Sequence, residues 1–143
     1  MDSVRIELDP FRASDGTALF RRRFRPAAAP IGDLLLGHGI GEDSSRYIQA
    51  ARAFAEAGWQ TVTWDLRGHG RSDGPRGYVA RWSRYHDDLS EQVDALRSDS
   101  RPLVVAGHSM GGWTSMLLAY QSPERVSRLV LLNSAGLNAQ ISP

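Results

Sequence analysis

The hydrophobic and polar positions near the start of the chain predict two paired β-strands. Apolar and polar residues alternate over residues 4–8, as in a strand with one solvated face, and Asp15 and Gly16 form a turn signal. A second strand, antiparallel to the first, is expected over residues 17–24. We interpret its arginine block at 21–23 as a solvated strand face near the edge of the sheet, with an anion-binding patch as the alternative.

From residue 33 onward the pattern changes to strands that alternate with helices. Apolar runs predict strands at 33–36, 59–64, 103–106 and 126–132. Helical spacing predicts a helix capped by Ser44 or Ser45 and reaching to about Ala57, a second over 82–96 and a third over 113–120. This order predicts an α/β fold in one domain over 1–143, with a mostly parallel sheet of about six strands, helices on both faces and an antiparallel N-terminal hairpin.

Composition excludes several kinds of chemistry. The chain has no cysteine, so disulfides, thiolate nucleophiles and cysteine-bound metals are excluded. It also has no lysine, which excludes a Schiff base and a phosphate-binding Walker lysine. A net charge of +1 predicts no strong electrostatic attraction to nucleic acid or to a membrane, and no apolar run is long enough to span a membrane. Residues 1–5 lack the apolar core of a signal peptide, so we expect a cytoplasmic protein.

The segment GHSMG at 107–111 is the motif with the clearest chemistry. It fits the pattern Gly-x-Ser-x-Gly and lies between a valine-rich strand and an apolar helix, which is the setting of a nucleophile elbow. Such a turn projects the Ser109 hydroxyl above the sheet, and a side chain at Gly107 or Gly111 is expected to collide with its neighbours. The alternative is a serine that only caps a helix.

The segment GHGIG at 37–41 follows the predicted strand at 33–36. In a fold with a nucleophile elbow, the oxyanion hole takes one backbone N–H from the residue after the nucleophile and one from this loop. That rule assigns the N–H groups of Met110 and Ile40, while Gly37 and Gly39 let the backbone approach a substrate carbonyl. The glycine spacing does not match the motifs that cradle phosphate.

Three motifs together resemble a known family. The segments HGIGEDSSRY at 38–47, DLRGHGRSDG at 65–74 and GHSMGG at 107–112 resemble the amino-terminal half of an α/β-hydrolase, most closely the branch of monoacylglycerol lipases, lysophospholipases and serine aminopeptidases. The resemblance covers about residues 4–138. It implies an incomplete α/β-hydrolase fold that stops before the cap, the last strands, the catalytic acid and the catalytic histidine. It also implies hydrolysis of acyl esters such as monoacylglycerols or lysophospholipids through an acyl-enzyme at Ser109, without a cofactor.

The family's order of Ser, acid and His cannot be completed within the sequence. No aspartate and no histidine follow Ser109, and the one later acid, Glu124, precedes the last predicted strand. His38 is the candidate accessory base, although a role in holding its loop by hydrogen bonds is the alternative we favour. No histidine pair has the spacing of a metal site, so no metal is expected.

Two further expectations follow. Without a base, Ser109 is a weak nucleophile, so the chain alone should be inactive or nearly so. The apolar strand 126–132 should form an exposed sheet edge that promotes self-association. Two alternatives to an enzyme remain open at this point: a binding or interaction module that keeps the fold without the chemistry, and a half-domain that a partner chain completes.

Overall fold

A computed structural model describes residues 4–136 of the chain. The eight strands are β1 (Val4–Leu8), β2 (Phe11–Arg12), β3 (Ala18–Leu19), β4 (Arg21–Pro26), β5 (Gly32–Gly37), β6 (Trp59–Trp64), β7 (Leu103–His108) and β8 (Arg128–Leu132). The helices are α1 (Ile48–Glu56), α2 (Ser83–Leu96) and α3 (Met110–Gln121), with short 3₁₀ helices at Ser44–Tyr47 and Pro123–Arg125. The predicted domain, 1–143, extends beyond the described residues at both ends. Residues 1–3, which belong to the segment on which the expectation of a cytoplasmic protein rests, also lie outside the described residues.

The main sheet has six strands in the order β1-β4-β6-β5-β7-β8. Strands β6, β5, β7 and β8 are parallel to one another, whereas β1 and β4 join the sheet antiparallel. The prediction of a mostly parallel sheet with an antiparallel N-terminal pair is therefore confirmed. All four parallel strands point their carboxyl ends toward the same side, where the glycine-rich loops lie.

The predicted second strand, 17–24, is wrong in its extent. Residues Ala18–Leu19 pair with β2 in a separate small hairpin, and β4 begins only at Arg21. The break occurs at Phe20, whose N–H donates to Ser72 Oγ at 2.8 Å and whose carbonyl accepts from the Asp65 N–H at 2.9 Å. Because Phe20 bonds to Ser72 and Asp65 in the loop after β6, it pairs with neither strand, and the chain passes at this residue from the small hairpin to the main sheet.

The interpretation of the arginine block as a solvated face is also wrong. Arg21 is only 5% exposed, and its Nη2 lies 2.7 Å from Asp9 Oδ2. Arg23 binds the same carboxylate oxygen at 2.6 Å, and the Arg22 guanidinium stacks on the Phe20 ring at 4.6 Å. Two arginines of the block thus share the Asp9 carboxylate and the third stacks on Phe20, which also argues against a free anion-binding patch.

Helices cover both faces of the sheet, as predicted, but they do so unequally. Alternate residues of β5 point to opposite sides: Leu35 belongs to the large core under α2 and α3, while Leu34 and Leu36 face the side of α1. On the α1 side an open apolar groove of about 270 Å³ remains, and its walls include Val104, Val130 and Leu132. Because α1 packs mainly on β6 and β4, this groove lies over the outer part of the sheet.

Two local details differ from the prediction. Neither Ser44 nor Ser45 caps α1: both lie in the preceding 3₁₀ helix, which is capped by Asp43 through a hydrogen bond of 2.8 Å from the Ser45 N–H to Asp43 Oδ1, and α1 itself begins at Ile48 without a side-chain cap. The last strand is shorter than 126–132, and Val130 and Leu132 on it are each 42% exposed. No helix within residues 4–136 is long and apolar enough to cross a membrane.

Candidate active site

Ser109 occupies a strained turn between β7 and α3. Its φ of 51° and ψ of −115° lie in a region that residues with a side chain rarely adopt. Three backbone hydrogen bonds hold it there: its N–H donates to Leu132 O at 3.1 Å, and its carbonyl accepts from the N–H groups of Trp113 and Ala135, each at 3.0 Å. Strain that persists because the surroundings fix it is typical of functional residues.

The glycines on either side of Ser109 are required by space. A Cβ at Gly107 would overlap the backbone of Gly111, and a Cβ at Gly111 would lie 2.6 Å from His38 O. A Cβ at Gly112 would lie 2.7 Å from Ser134 Oγ. The turn therefore packs so closely against the loop after β5 and the loop after β8 that only glycine fits at these positions.

The loop after β5 lies directly against Ser109. A Cβ at Gly39 would approach Ser109 Cβ to 2.9 Å, whereas a Cβ at Gly37 would meet nothing nearer than 3.6 Å. Close approach therefore requires glycine at Gly39 but not at Gly37. The loop brings Ile40 to the same cavity as Ser109 and Met110, and Met110 begins α3, where N–H groups have no partner within the helix.

His38 is fully buried, and its ring is bound on both sides. Its Nδ1 lies 2.6 Å from the Gly39 carbonyl oxygen, and its Nε2 accepts from the Leu66 N–H at 2.9 Å. Burial lowers the pKa of this imidazole, which further favours the neutral ring. With its proton on Nδ1 and its lone pair on Nε2 both used, His38 has no site left to take the Ser109 proton. This geometry fits the alternative that His38 holds the loop.

Glu42 connects the loop after β5 to the turn at Ser109. Its Oε1 accepts from the Gly39 N–H and the Tyr47 hydroxyl, both at 2.7 Å, and lies 2.9 Å from His108 Nδ1. Burial acts to raise the pKa of this carboxyl, but the hydrogen bonds outweigh burial and lower that pKa to about 2. Sequence analysis missed Glu42, and its only signal was its place within the GHGIGED segment.

The other histidines do not complete a catalytic pair with Ser109. The His108 side chain turns toward Glu42, His69 lies 3.0 Å from Arg67 O through Nδ1, and the nearest acid of His86 is Asp87 at 3.8 Å. All four histidines lie within the described residues, and none of them hydrogen-bonds to the Ser109 hydroxyl there. Glu124 lies in the 3₁₀ helix that precedes β8, at the opposite end of the strands from Ser109.

The site opens into an apolar cavity of about 540 Å³. Its walls are formed by Ile40, Trp82, Ser109, Met110, Trp113, Ala135 and Gly136. The sequence pattern assigned Trp82 and Trp113 only to helices. Their place beside Ser109 depends on how α2 and α3 meet at the sheet, which periodicity cannot reveal.

The chain resembles proteins of known family in sequence and in structure. Residues 28–141 match the family described as serine aminopeptidase, S33. The chain is 33% identical to human monoglyceride lipase over 122 residues, covering 84% of this chain and 40% of that protein. It is 32% identical to the monoacylglycerol lipase of Mycolicibacterium smegmatis over 127 residues, covering 87% and 45%.

A solved structure extends the likeness to the fold. The crystal structure of a monoacylglycerol lipase from Paleococcus ferrophilus superposes with a TM-score of 0.73 at 28% identity, over 87% of this chain and 46% of that one. The chain thus spans less than half the length of each of these proteins.

Proposed function

The chain belongs to the serine aminopeptidase family of α/β-hydrolases, and on that premise we propose that it carries the nucleophile of a serine hydrolase acting on carboxylic esters. The substrates we propose are monoacylglycerol-like or lysophospholipid-like esters, in line with the names of the lipases it resembles. The observation that carries the proposal is the strained conformation of Ser109, since a serine that only capped a helix would need no such turn. A cytoplasmic location is part of the same proposal, and fractionation of the source cells would test it.

The proposed reaction has two halves. Ser109 Oγ attacks the ester carbonyl carbon while its proton passes to a base, and the N–H groups of Ile40 and Met110 stabilise the oxyanion that forms. When the carbonyl re-forms, the bond to the alcohol breaks and the alcohol leaves with that proton. Water then attacks the acyl-enzyme in the same way and releases the carboxylic acid.

We propose that the chain alone is inactive or nearly so. The support is that none of the four histidines is placed to take the Ser109 proton within the described residues. The purified 143-residue chain should therefore turn over p-nitrophenyl esters slowly or not at all. Robust turnover that Ser109→Ala abolishes would overturn this part of the proposal.

Labelling with a fluorophosphonate tests the nucleophile itself. The label should attach to Ser109, slowly, and should be lost in Ser109→Ala. Ser83→Ala is the matched control, because Ser83 is an exposed serine next to Trp82, which lines the cavity. Labelling that persists in Ser109→Ala would refute the assignment.

A second candidate is a half-domain completed by another chain. It is supported by the open groove of about 270 Å³ beside β8, the last strand of the sheet within the described residues. Esterase activity that appears only on addition of a polypeptide with the acid and histidine would favour it. If the added polypeptide brings no esterase activity, the half-domain candidate is refuted.

A further inference from the structure

Two consecutive N–H groups of the loop after β5 differ in their partners. The Gly39 N–H donates to Glu42 Oε1 at 2.7 Å. The N–H of Ile40, the next residue, donates to no group within residues 4–136. An N–H that a carboxylate already occupies is not available to an oxyanion. The bond between Glu42 and Gly39 therefore leaves Ile40 as the free donor of the two.

The same carboxylate oxygen also holds the chain on the other side of the site. Glu42 Oε1 lies 2.9 Å from Nδ1 of His108, which is the residue before Ser109. A Cβ built at Gly39 would lie 2.9 Å from Ser109 Cβ and 3.2 Å from Glu42 Oε1, so the loop, the carboxylate and the turn meet at one point. Within the described residues, the carboxylate bonds to the neighbours of Ser109 and not to its hydroxyl.

A carboxylate suits this position because an ionised carboxylate only accepts hydrogen bonds. The Gly39 N–H and the Tyr47 hydroxyl both donate to Oε1, and a proton on His108 Nδ1 can do the same. The pKa of about 2 keeps Glu42 ionised at neutral pH. Its other oxygen, Oε2, lies 3.1 Å from Nη1 of Arg46, whose side chain is 69% exposed. The cation thus lies at the solvent side, while Oε1 faces the loop and the turn.

We propose that Glu42 is the positioning residue of the oxyanion hole. It ties the loop after β5 to the residue before Ser109 and thereby fixes the Ile40 N–H relative to the Ser109 hydroxyl. The inference rests on the proposed ester hydrolysis at Ser109 and adds to it the residue that sets the position of one donor. Glu42 acts through Gly39, because the peptide bond joins that residue directly to the Ile40 nitrogen.

The rate at which a fluorophosphonate labels Ser109 reports on the oxyanion hole, because an oxygen on phosphorus gains negative charge as the bond to Ser109 forms. Glu42→Gln keeps an acceptor of the same size but removes the charge, and hydrogen bonds to a charged acceptor are about twice as strong. We expect Glu42→Gln to label roughly tenfold more slowly than the parent. Glu42→Ala should label roughly a hundredfold more slowly, as when one oxyanion donor is lost.

Asp43→Asn is the matched control for the removal of a charge from this loop. The Asp43 carboxylate caps the following 3₁₀ helix by accepting from the Ser45 N–H, and asparagine caps equally well. The variant should therefore label at the parent rate. A loss in Asp43→Asn as large as that in Glu42→Gln would show that the charge of the loop matters and not the link through Glu42, and would overturn the proposal.

Variants of His108 separate holding from proton transfer. Asparagine offers an amide N–H near the place of the histidine Nδ1 but cannot act as a base. His108→Asn should label at nearly the parent rate, and His108→Ala roughly tenfold more slowly. Because Glu42→Gln and His108→Ala break the same link, the double variant should be slowed by much less than the product of the two effects. Equal losses in His108→Asn and His108→Ala, or independent effects in the double variant, would overturn the proposal.

Amide resonances separate this inference from the proposed function. In the 143-residue chain the Gly39 amide proton should lie downfield and exchange slowly, because it donates to a carboxylate. In Glu42→Gln the Gly39 and Ile40 resonances should both move, and an unchanged Ile40 resonance would overturn the positioning role. Circular dichroism checks the fold of each variant, and the His108 variants carry the test where a Glu42 variant does not fold.

The two readouts fail in different ways. If Ser109 of the parent does not label while the Ile40 resonance still moves in Glu42→Gln, the proposed function is wrong and the positioning role stands. If the parent labels and Glu42→Gln labels as fast or faster, the proposed function stands and Glu42 does not position the hole.

Discussion

The turn at Ser109 and the strand β8 are neighbours, since the Ser109 N–H donates to Leu132 O, but their surroundings differ. The turn packs against the loop after β5 and against α3, and a Cβ at Gly107 or Gly111 would overlap backbone atoms there. Strand β8 lies last in the described sheet, with Val130 and Leu132 each 42% exposed over an open groove. The Ser109 backbone is thus fixed by contacts within 4–136, whereas the outer part of the described sheet has exposed apolar surface.

The largest effect is expected from a side chain added where the turn packs against the loop after β5. Gly111→Ala places a Cβ 2.6 Å from the His38 carbonyl oxygen. Since that oxygen belongs to the backbone and the Cβ is attached directly to the helix backbone, neither atom can move away without a backbone shift. We expect a loss of about 3 kcal/mol in the free energy of unfolding, measured by urea denaturation. Gly37→Ala, where the nearest atom would be 3.6 Å away, should change it by less than about 0.5 kcal/mol. Equal losses in the two variants would show that the turn does not pack against the loop as described.

Relief of strain at Ser109 should act in the opposite direction. Ser109→Gly removes the side chain from a backbone conformation with φ of 51°, so the free energy of unfolding should rise by about 1 kcal/mol. Ser83→Gly, at the start of α2, gives a control in which glycine brings no such relief. A Ser109→Gly protein less stable than its parent would contradict stored strain at the turn.

Acid should weaken the link between the loop and the turn through Glu42. The folded-state pKa of Glu42 is about 2 against an ordinary 4.5, so its stabilisation is complete above pH 4.5 and is lost as the pH falls toward 2. The stability difference between the parent and Glu42→Gln should therefore shrink over that window. Glu124→Gln, at an exposed acid next to the outer strand, is the matched control. A constant difference for Glu42→Gln down to pH 2 would refute its role.

The smallest effect on stability, but a visible one on assembly, is expected at the outer strand. We propose that the chain self-associates through β8, and Val130→Glu should reduce that association because it adds a charge to the exposed apolar face. Its free energy of unfolding should change by about 1 kcal/mol or less. Tyr120→Glu, at an 86% exposed residue of α3, is the control for a charge placed elsewhere. Light scattering that finds the parent chain monomeric at high concentration would contradict self-association.

Much of the central region could be predicted from sequence because its constraints are local. The pattern Gly-x-Ser-x-Gly occupies only residues 107–111, where β7 passes into α3. Hydrophobic periodicity predicts the elements on either side. Contacts between distant residues could not be predicted. The break at Phe20 depends on Ser72, 52 positions away, and the contact of Glu42 with His108 spans 66 positions. The place of Trp82 beside Ser109 depends likewise on packing between separate elements.

The pH dependence of Ser109 labelling tests the central claim most directly, namely that the chain holds a formed nucleophile turn without a base. The rate of fluorophosphonate attachment, followed by intact mass and peptide mapping, should rise steadily with pH, since hydroxide alone can remove the Ser109 proton. All label should be on Ser109. A rate that levels off with a midpoint near the ordinary histidine pKa of about 6.5 would reveal a histidine base and contradict the claim. Label on another residue would contradict the assignment of the nucleophile.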